Sequence, residues 1–285
     1  MIIDLFTYTN ATPNAPFSLE ALIEAARCAR LDGIAVTDRE SSCRARDYVS
    51  VASREQFFVA VGVELKTSAG IVAAYPANID DEFVNEGWRE LGDMPEVEAV
   101  LEYFHDRGGI VVARDVYNRG DGMKDRVYAA RDSQGRGFDS IDTIAVYRRR
   151  IDNELSIEAQ QVLGIAACAG SGVFSDLEDI GHCATLFASE IKDQASFVSA
   201  LKSPLHWACA LRDLGEACPM GSAPAVDEHE RRYDDRRNPS DRRGGDRRRD
   251  ERRGDERRGG DRRRDDRRGG DARRGGGNRR NSRPR

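Results

Sequence analysis

Over the first 212 residues, short apolar runs alternate with segments whose apolar positions recur at helical spacing. The run "IIDLF" (2–6) reads as a strand. The segment after it, "SLEALIEAARCAR", sets Leu19, Leu22, Ile23 and Ala26 on one face behind Ser18, a residue suited to cap a helix. "DGIAV" is a second strand. "FFVAVGVEL" and "GIVAAYP" are strands joined by a short Gly-containing turn, and "PEVEAVLEYFHDRGG" is a helix with Val97, Val100, Leu101 and Phe104 on one face, closed by Gly108 and Gly109. "IVVARD", "SIDTIAVY", "VLGIAACAG" and "ATLFA" continue the strands, with helices at "NELSIEAQQ" and "DQASFVSALKS" and a last strand at "LHWACALR". This alternation predicts an α/β fold, and about seven βα units predict a closed barrel rather than an open sheet.

In such a barrel, chemistry gathers at the rim where strands end and loops begin. The residues there are Phe6 and Tyr8, Asp38 and Arg39, Glu64, Arg114 and Asp115, Arg148, and the "GSGVF" of 170–174. That last loop lacks the Lys of a P-loop and the second half of a dinucleotide fingerprint, so it reads as a turn.

Composition changes the picture near residue 226. Of 45 basic and 50 acidic residues, 24 Arg and 15 Asp plus Glu fall in residues 227–285, which leaves 21 basic and 35 acidic in residues 1–226. An acidic body of net −14 is thus joined to a basic tail of net +9. The expected organisation is a barrel over 1–212, a linker over 213–226 and a low-complexity tail over 227–285. No secretory segment follows Met1 and no apolar run is long enough to span a membrane, so a cytoplasmic protein without membrane contact is expected. The six cysteines (Cys28, Cys43, Cys168, Cys183, Cys209, Cys218) form no C-x-x-C pair and read as reduced structural thiols. His105, His182, His206 and His229 read as packed or solvated rather than as ligands.

With these elements in order, "DLFTYT", "GIAVTDRE", "GVELKTSAGIVAAYP", "GGIVVARD", "FDSIDTIAVY" and "AGSGVFSDLEDIG" together resemble the polymerase-and-histidinol-phosphatase (PHP) family. The family's pattern is D-L-H-x-H-T, then T-D-H, G-x-E, A-H-P and G-S-D-A-H. The resemblance implies a distorted (βα)7 TIM-like barrel that holds two or three divalent metals and hydrolyses phosphoesters. It also implies that most ligand positions have changed. Phe6 and Tyr8 stand for the first two histidines, Arg39 for the His of T-D-H and Arg114 for that of A-H-P. Gly172 and Phe174 stand for the last Asp and His, Ile71 for a His after the glutamate, and Ala145 for an acidic ligand. Asp38 and Glu64 are retained.

Neither a phenyl ring nor a guanidinium can donate to a metal, so no metal, cofactor or catalytic residue is expected. Phe6, Tyr8 and Phe174 are expected to fill the former cavity. Arg39 and Arg114 are expected to face Asp38 and Glu64 and balance their charge, with loss of Arg39 destabilising by about 3 kcal/mol. The competing reading makes these arginines, with Arg148 or Arg149, an anion pocket for a phosphorylated small ligand.

The tail, "DRRGGDRRRDERRGDERRGGDRRRDDRRGG", has too little apolar surface to offset the entropy of ordering and is expected to be disordered. Its arginines, Arg242, Arg243, Arg247, Arg248, Arg249, Arg262, Arg263 and Arg264 among them, suit RNA or another polyanion, or self-association, whereas a purely solubilising role is the plainer reading. The function expected is that of a degenerate PHP-like binding or scaffolding protein. The alternative is a divergent metal-dependent phosphoesterase using Asp38 and Glu64.

Overall fold

A computed structural model of the chain describes residues 1–117, 123, 126–146, 148, 150–212 and 216–219. Of the linker expected over 213–226, residues 213–215 and 220–226 lie outside the described residues, as do the whole 227–285 tail with its arginines and Arg149.

Among the described residues, ten strands form one sheet in the order β10-β9-β8-β1-β2-β3-β4-β5-β6-β7. The first three, β1 (Ile2–Thr7), β2 (Gly33–Arg39) and β3 (Phe58–Lys66), are parallel and connected by α1 (Leu19–Cys28) and α2 (Ala45–Glu55). The short turn after β3 returns the chain as antiparallel β4 (Ile71–Tyr75). A short α3 (Asp81–Val84), a 3-10 turn at Gly87–Leu91 and α4 (Val97–Asp106) lead to β5 (Ile110–Ala113), antiparallel to β4. Parallel pairing resumes with β6 (Ser140–Ile144), α5 (Arg150–Leu163) and β7 (Ala166–Ala169). Then β8 (Cys183–Phe187), α6 (Gln194–Lys202), β9 (His206–Arg212) and β10 (Glu216–Pro219) run antiparallel to their neighbours, with β8 closing onto β1.

The sheet curls until β7 meets β8 and β9. Side chains bridge the seam in place of a ladder: Thr185 Oγ1 accepts from Ala169 N and donates to Ala169 O, both at 2.9 Å, and Ser140 Oγ lies 3.2 Å from His206 Nε2. Just beyond β7, Val173 O accepts from Tyr8 N at 3.2 Å, which joins the seam to the end of β1. The expected α/β barrel is therefore present, nearly closed, with antiparallel strands where seven uniform βα units would have all been parallel.

Helices α1, α2 and α4 cover the outer face through Leu22, Ile23, Tyr48, Val100 and Leu101. Helix α6 crosses the floor, where Phe197 packs on Phe58, Tyr75 and Phe187 with ring centroids 6.0, 5.2 and 6.0 Å away. Tyr75 reaches across the interior to donate to Leu5 O at 2.6 Å, and Gly62 leaves it room: a Cβ there would lie 2.5 Å from the ring. Helix α2 escaped the sequence reading because only Ala45 and Tyr48 of its residues are buried and Arg44, before it, supplies no side-chain cap. Among the described residues, no helix is long and apolar enough to cross a membrane.

Candidate functional site

Neighbouring strand ends bring the rim residues together. Arg39, the last residue of β2, is in register with Glu64 of β3, and Arg114 follows β5 with its N–H bonded to Ile71 O at 3.0 Å. Glu64 is the centre of the group. Its Oε1 accepts from Arg39 Nε at 2.9 Å, and its Oε2 accepts from the Tyr8 hydroxyl at 2.5 Å and from Arg114 Nη1, which also donates to the Tyr8 oxygen. Burial pushes the Tyr8 phenol well above its usual range, against the pull of Arg114, so the phenol is neutral and can donate.

The arginines also stack. Arg114, wholly buried at 0 % exposure, lies over the Phe6 ring at 4.0 Å. Arg39, whose side chain is 49 % exposed, lies over Tyr8 at 5.0 Å and Phe174 at 4.7 Å, and those two rings meet edge to face at 5.9 Å. Phe6 and Tyr8 are buried and Phe174 is half-buried, so aromatic rings occupy the mouth of the barrel with one guanidinium below them and one above.

Below Arg114 lies a carboxylate that the sequence reading passed over. Asp142, at 0 % exposure in the middle of β6, is 3.5 Å from Arg114 Nε and 2.8 Å from Arg148 Nη2. Arg148 Nη1 donates to Asp142 O at 3.1 Å and to Ser156 Oγ at 3.3 Å, and its Nε lies 3.9 Å from Asp115. Burial raises the Asp142 carboxyl to about 6 although Arg148 and Arg114 both pull it down. The signal was available: an acidic residue inside the apolar run "SIDTIAV" has to be paired if that run is a buried strand. The resemblance had directed attention instead to Ala145, which is buried without a polar side chain.

Asp38 stands apart from the arginines. Its Oδ1 accepts from Thr9 N at 2.7 Å and Thr12 Oγ1 at 2.8 Å, and its Oδ2 accepts from Thr9 Oγ1 at 2.8 Å and Tyr48 OH at 2.6 Å. Arg39, expected to face both carboxylates, turns to Glu64, and four neutral donors satisfy Asp38 instead. Asp4 is likewise a buried strap: it accepts from Ser171 N at 2.8 Å and Gly181 N at 3.0 Å, and burial raises it to about 6.

Comparison with solved structures places this geometry in a known architecture. The fold is similar to that of a protein from Bifidobacterium adolescentis classed as a metal-dependent phosphoesterase, at 11 % identity over 70 % of this chain and 95 % of that one, TM-score 0.52. It is similar to PsfC from Pseudomonas syringae at 15 % identity over 82 % of this chain and 98 % of that one, TM-score 0.53. A two-domain protein from Bacteroides vulgatus with a predicted PHP-like metal-dependent phosphoesterase matches at 12 % identity over 73 % of this chain and 64 % of that one, TM-score 0.49. No family model and no curated protein matches the sequence. The chain therefore has an α/β barrel like those of the Bifidobacterium protein and PsfC, a likeness of fold alone.

The metals such a barrel implies can be tested against the donors present. Glu64 already accepts from Tyr8, Arg39 and Arg114, Asp142 is taken by Arg148 and Arg114, and Asp38 has four donors. Among the described residues, no group of three His, Cys, Asp or Glu is disposed to hold a metal ion. A cation among these carboxylates would also meet the Arg114 guanidinium. The described residues at this rim do not fit a di- or trinuclear metal centre.

Proposed function

We propose that this chain is a catalytically degenerate PHP-type barrel that acts in the cytoplasm as a binding or scaffolding protein, with its Arg/Asp/Gly-rich tail as the arm that engages RNA or another polyanion. The single observation that carries the reading is Arg114: a fully buried guanidinium between Glu64 and Asp142, a fixed positive charge among the barrel's buried carboxylates. Arg39 and Arg148 complete the neutralisation and the neutral Tyr8 phenol donates to Glu64, so the rim carboxylates are answered by the chain's own side chains. The tail brings 24 arginines outside this body, and a net of +9 against the −14 of residues 1–226 makes it the natural seat of polyanion contact.

The test is metal content together with activity. Protein purified without chelator is expected to carry well under one equivalent of Zn, Mn or Fe. With any of these added, bis(p-nitrophenyl) phosphate should be hydrolysed no faster than in buffer. About two or more tightly bound ions per chain would overturn the reading, as would turnover abolished by Glu64→Gln.

A further inference from the structure

Away from the rim, at the opposite end of β5, an imidazole sits between two carboxylates. His105 is in the last turn of α4 with its ring 5 % exposed. Its Nδ1 lies 2.9 Å from Asp132 Oδ2 and its Nε2 lies 2.8 Å from Asp139 Oδ2. Both acids belong to the segment that crosses from β5 to β6, and both are held in place independently of the histidine. Asp139 Oδ2 accepts from Val111 N at 2.9 Å, and Asp139 N donates to Val111 O at 3.0 Å. Asp132 Oδ1 accepts from Gln134 N at 3.0 Å and Arg136 N at 2.8 Å, and its Oδ2 accepts from Arg136 Nε at 2.5 Å.

A neutral imidazole has one N–H and one bare lone pair. Facing two ionised carboxylates, one of its nitrogens would then point a lone pair at an oxygen 2.8 or 2.9 Å away. The contact becomes favourable on both sides only if the ring carries a second proton. Asp132 is too well supplied with donors to hold that proton; burial works against its charge, but His105, Arg136 and two backbone N–H groups keep its carboxyl at about 2. The groups facing the ring are Asp132 and Asp139, with the Arg136 cation behind Asp132 opposing the charge; Arg136 is itself held by Asp106 of α4 at 3.0 Å. Burial opposes the charge, and the hydrogen bonds that the ring donates to Asp139 and Asp132 outweigh it and raise the ring above its usual range.

We infer that His105 is a resident imidazolium that clamps the 126–139 segment to α4 and β5, and that this clamp is a pH-sensitive latch on that segment. The sign follows from linkage. Below about pH 6.5, the ring is charged in the closed and the opened segment alike and the clamp is at full strength. Between that pH and the ring's own higher midpoint, opening rises with pH, by tenfold per unit at most, and above the midpoint it levels off.

The experiment is done on the full-length protein. Long-range proton–nitrogen NMR of the histidine rings, with His105 assigned by its loss in His105→Gln, should show both ring nitrogens protonated near neutral pH and a midpoint above that of free histidine. Tryptic cleavage at Arg131 and Arg136, measured relative to a peptide substrate at each pH, should rise above about pH 6.5, by tenfold per unit at most, and then level off. In His105→Gln it should be fast and flat. Asp139→Asn keeps the ring and removes one charge, so it should lower the NMR midpoint even if the glutamine variant folds poorly. A single neutral tautomer near pH 7, or the same rise in cleavage in His105→Gln, would overturn the inference.

Discussion

Arg114→Met isolates the charge that the rim depends on. Methionine keeps an unbranched apolar stem against Phe6, which the guanidinium now covers at 4.0 Å, so little cavity forms, but every side-chain N–H donor is lost. Removing one partner of a buried ion pair costs about 3–5 kcal/mol. Here Glu64 would keep Tyr8 and Arg39, and Asp142 would keep Arg148, which places the expected loss at the lower end, about 3 kcal/mol. The pH dependence is diagnostic. Burial already raises Asp142 to about 6, above the roughly 3.9 of an unfolded aspartate, and removal of Arg114 raises it further. A carboxyl raised in the fold destabilises progressively as pH climbs from its unfolded value through its folded one, so the variant's deficit should be larger at about pH 7.5 than at about pH 5. Adding Glu64→Gln should recover part of it, because an amide tolerates the missing cation. Urea unfolding followed by tryptophan fluorescence at both pH values measures this. A single variant within about 0.5 kcal/mol of the parent near pH 7.5, or a deficit unchanged by pH, would refute the charge-compensation argument.

Arg39→Ala should cost about 1 kcal/mol or less in a thermal or urea melt, because its side chain is 49 % exposed and Glu64 retains two other donors; a loss of about 3 kcal/mol would show a burden this geometry does not assign to it. Full-length protein should hold RNA on a filter at low salt and release it as salt rises, whereas residues 1–226, at net −14, should not hold it; equal retention by both would move the activity to the barrel.

Much of this architecture was legible in local pattern. Strand and helix periods outlined the barrel, and the ends of "IIDLF", "DGIAV" and "FFVAVGVEL" marked where Tyr8, Arg39 and Glu64 would meet. Alternation within a strand is set by the chain's own covalent geometry, so a sequence carries it whatever the neighbours are. What period does not carry is which donor answers which acceptor. The expectation that Asp38 would need an arginine failed on Tyr48, brought in by a helix with two buried residues, and on Thr9 and Thr12 in the loop after β1. Asp142 was passed over, although Arg114 and Arg148, which compensate it, were both named as rim residues. His105 read as an ordinary packed histidine because its two carboxylates lie 27 and 34 residues further on. The sequence by itself determined most of the strands and helices, the rim positions and the unequal charge of residues 1–226 and 227–285. Only the tertiary structure decided the pairing of buried charges, because desolvation makes each such group depend on whatever the converging strand ends place within about 3 Å of it.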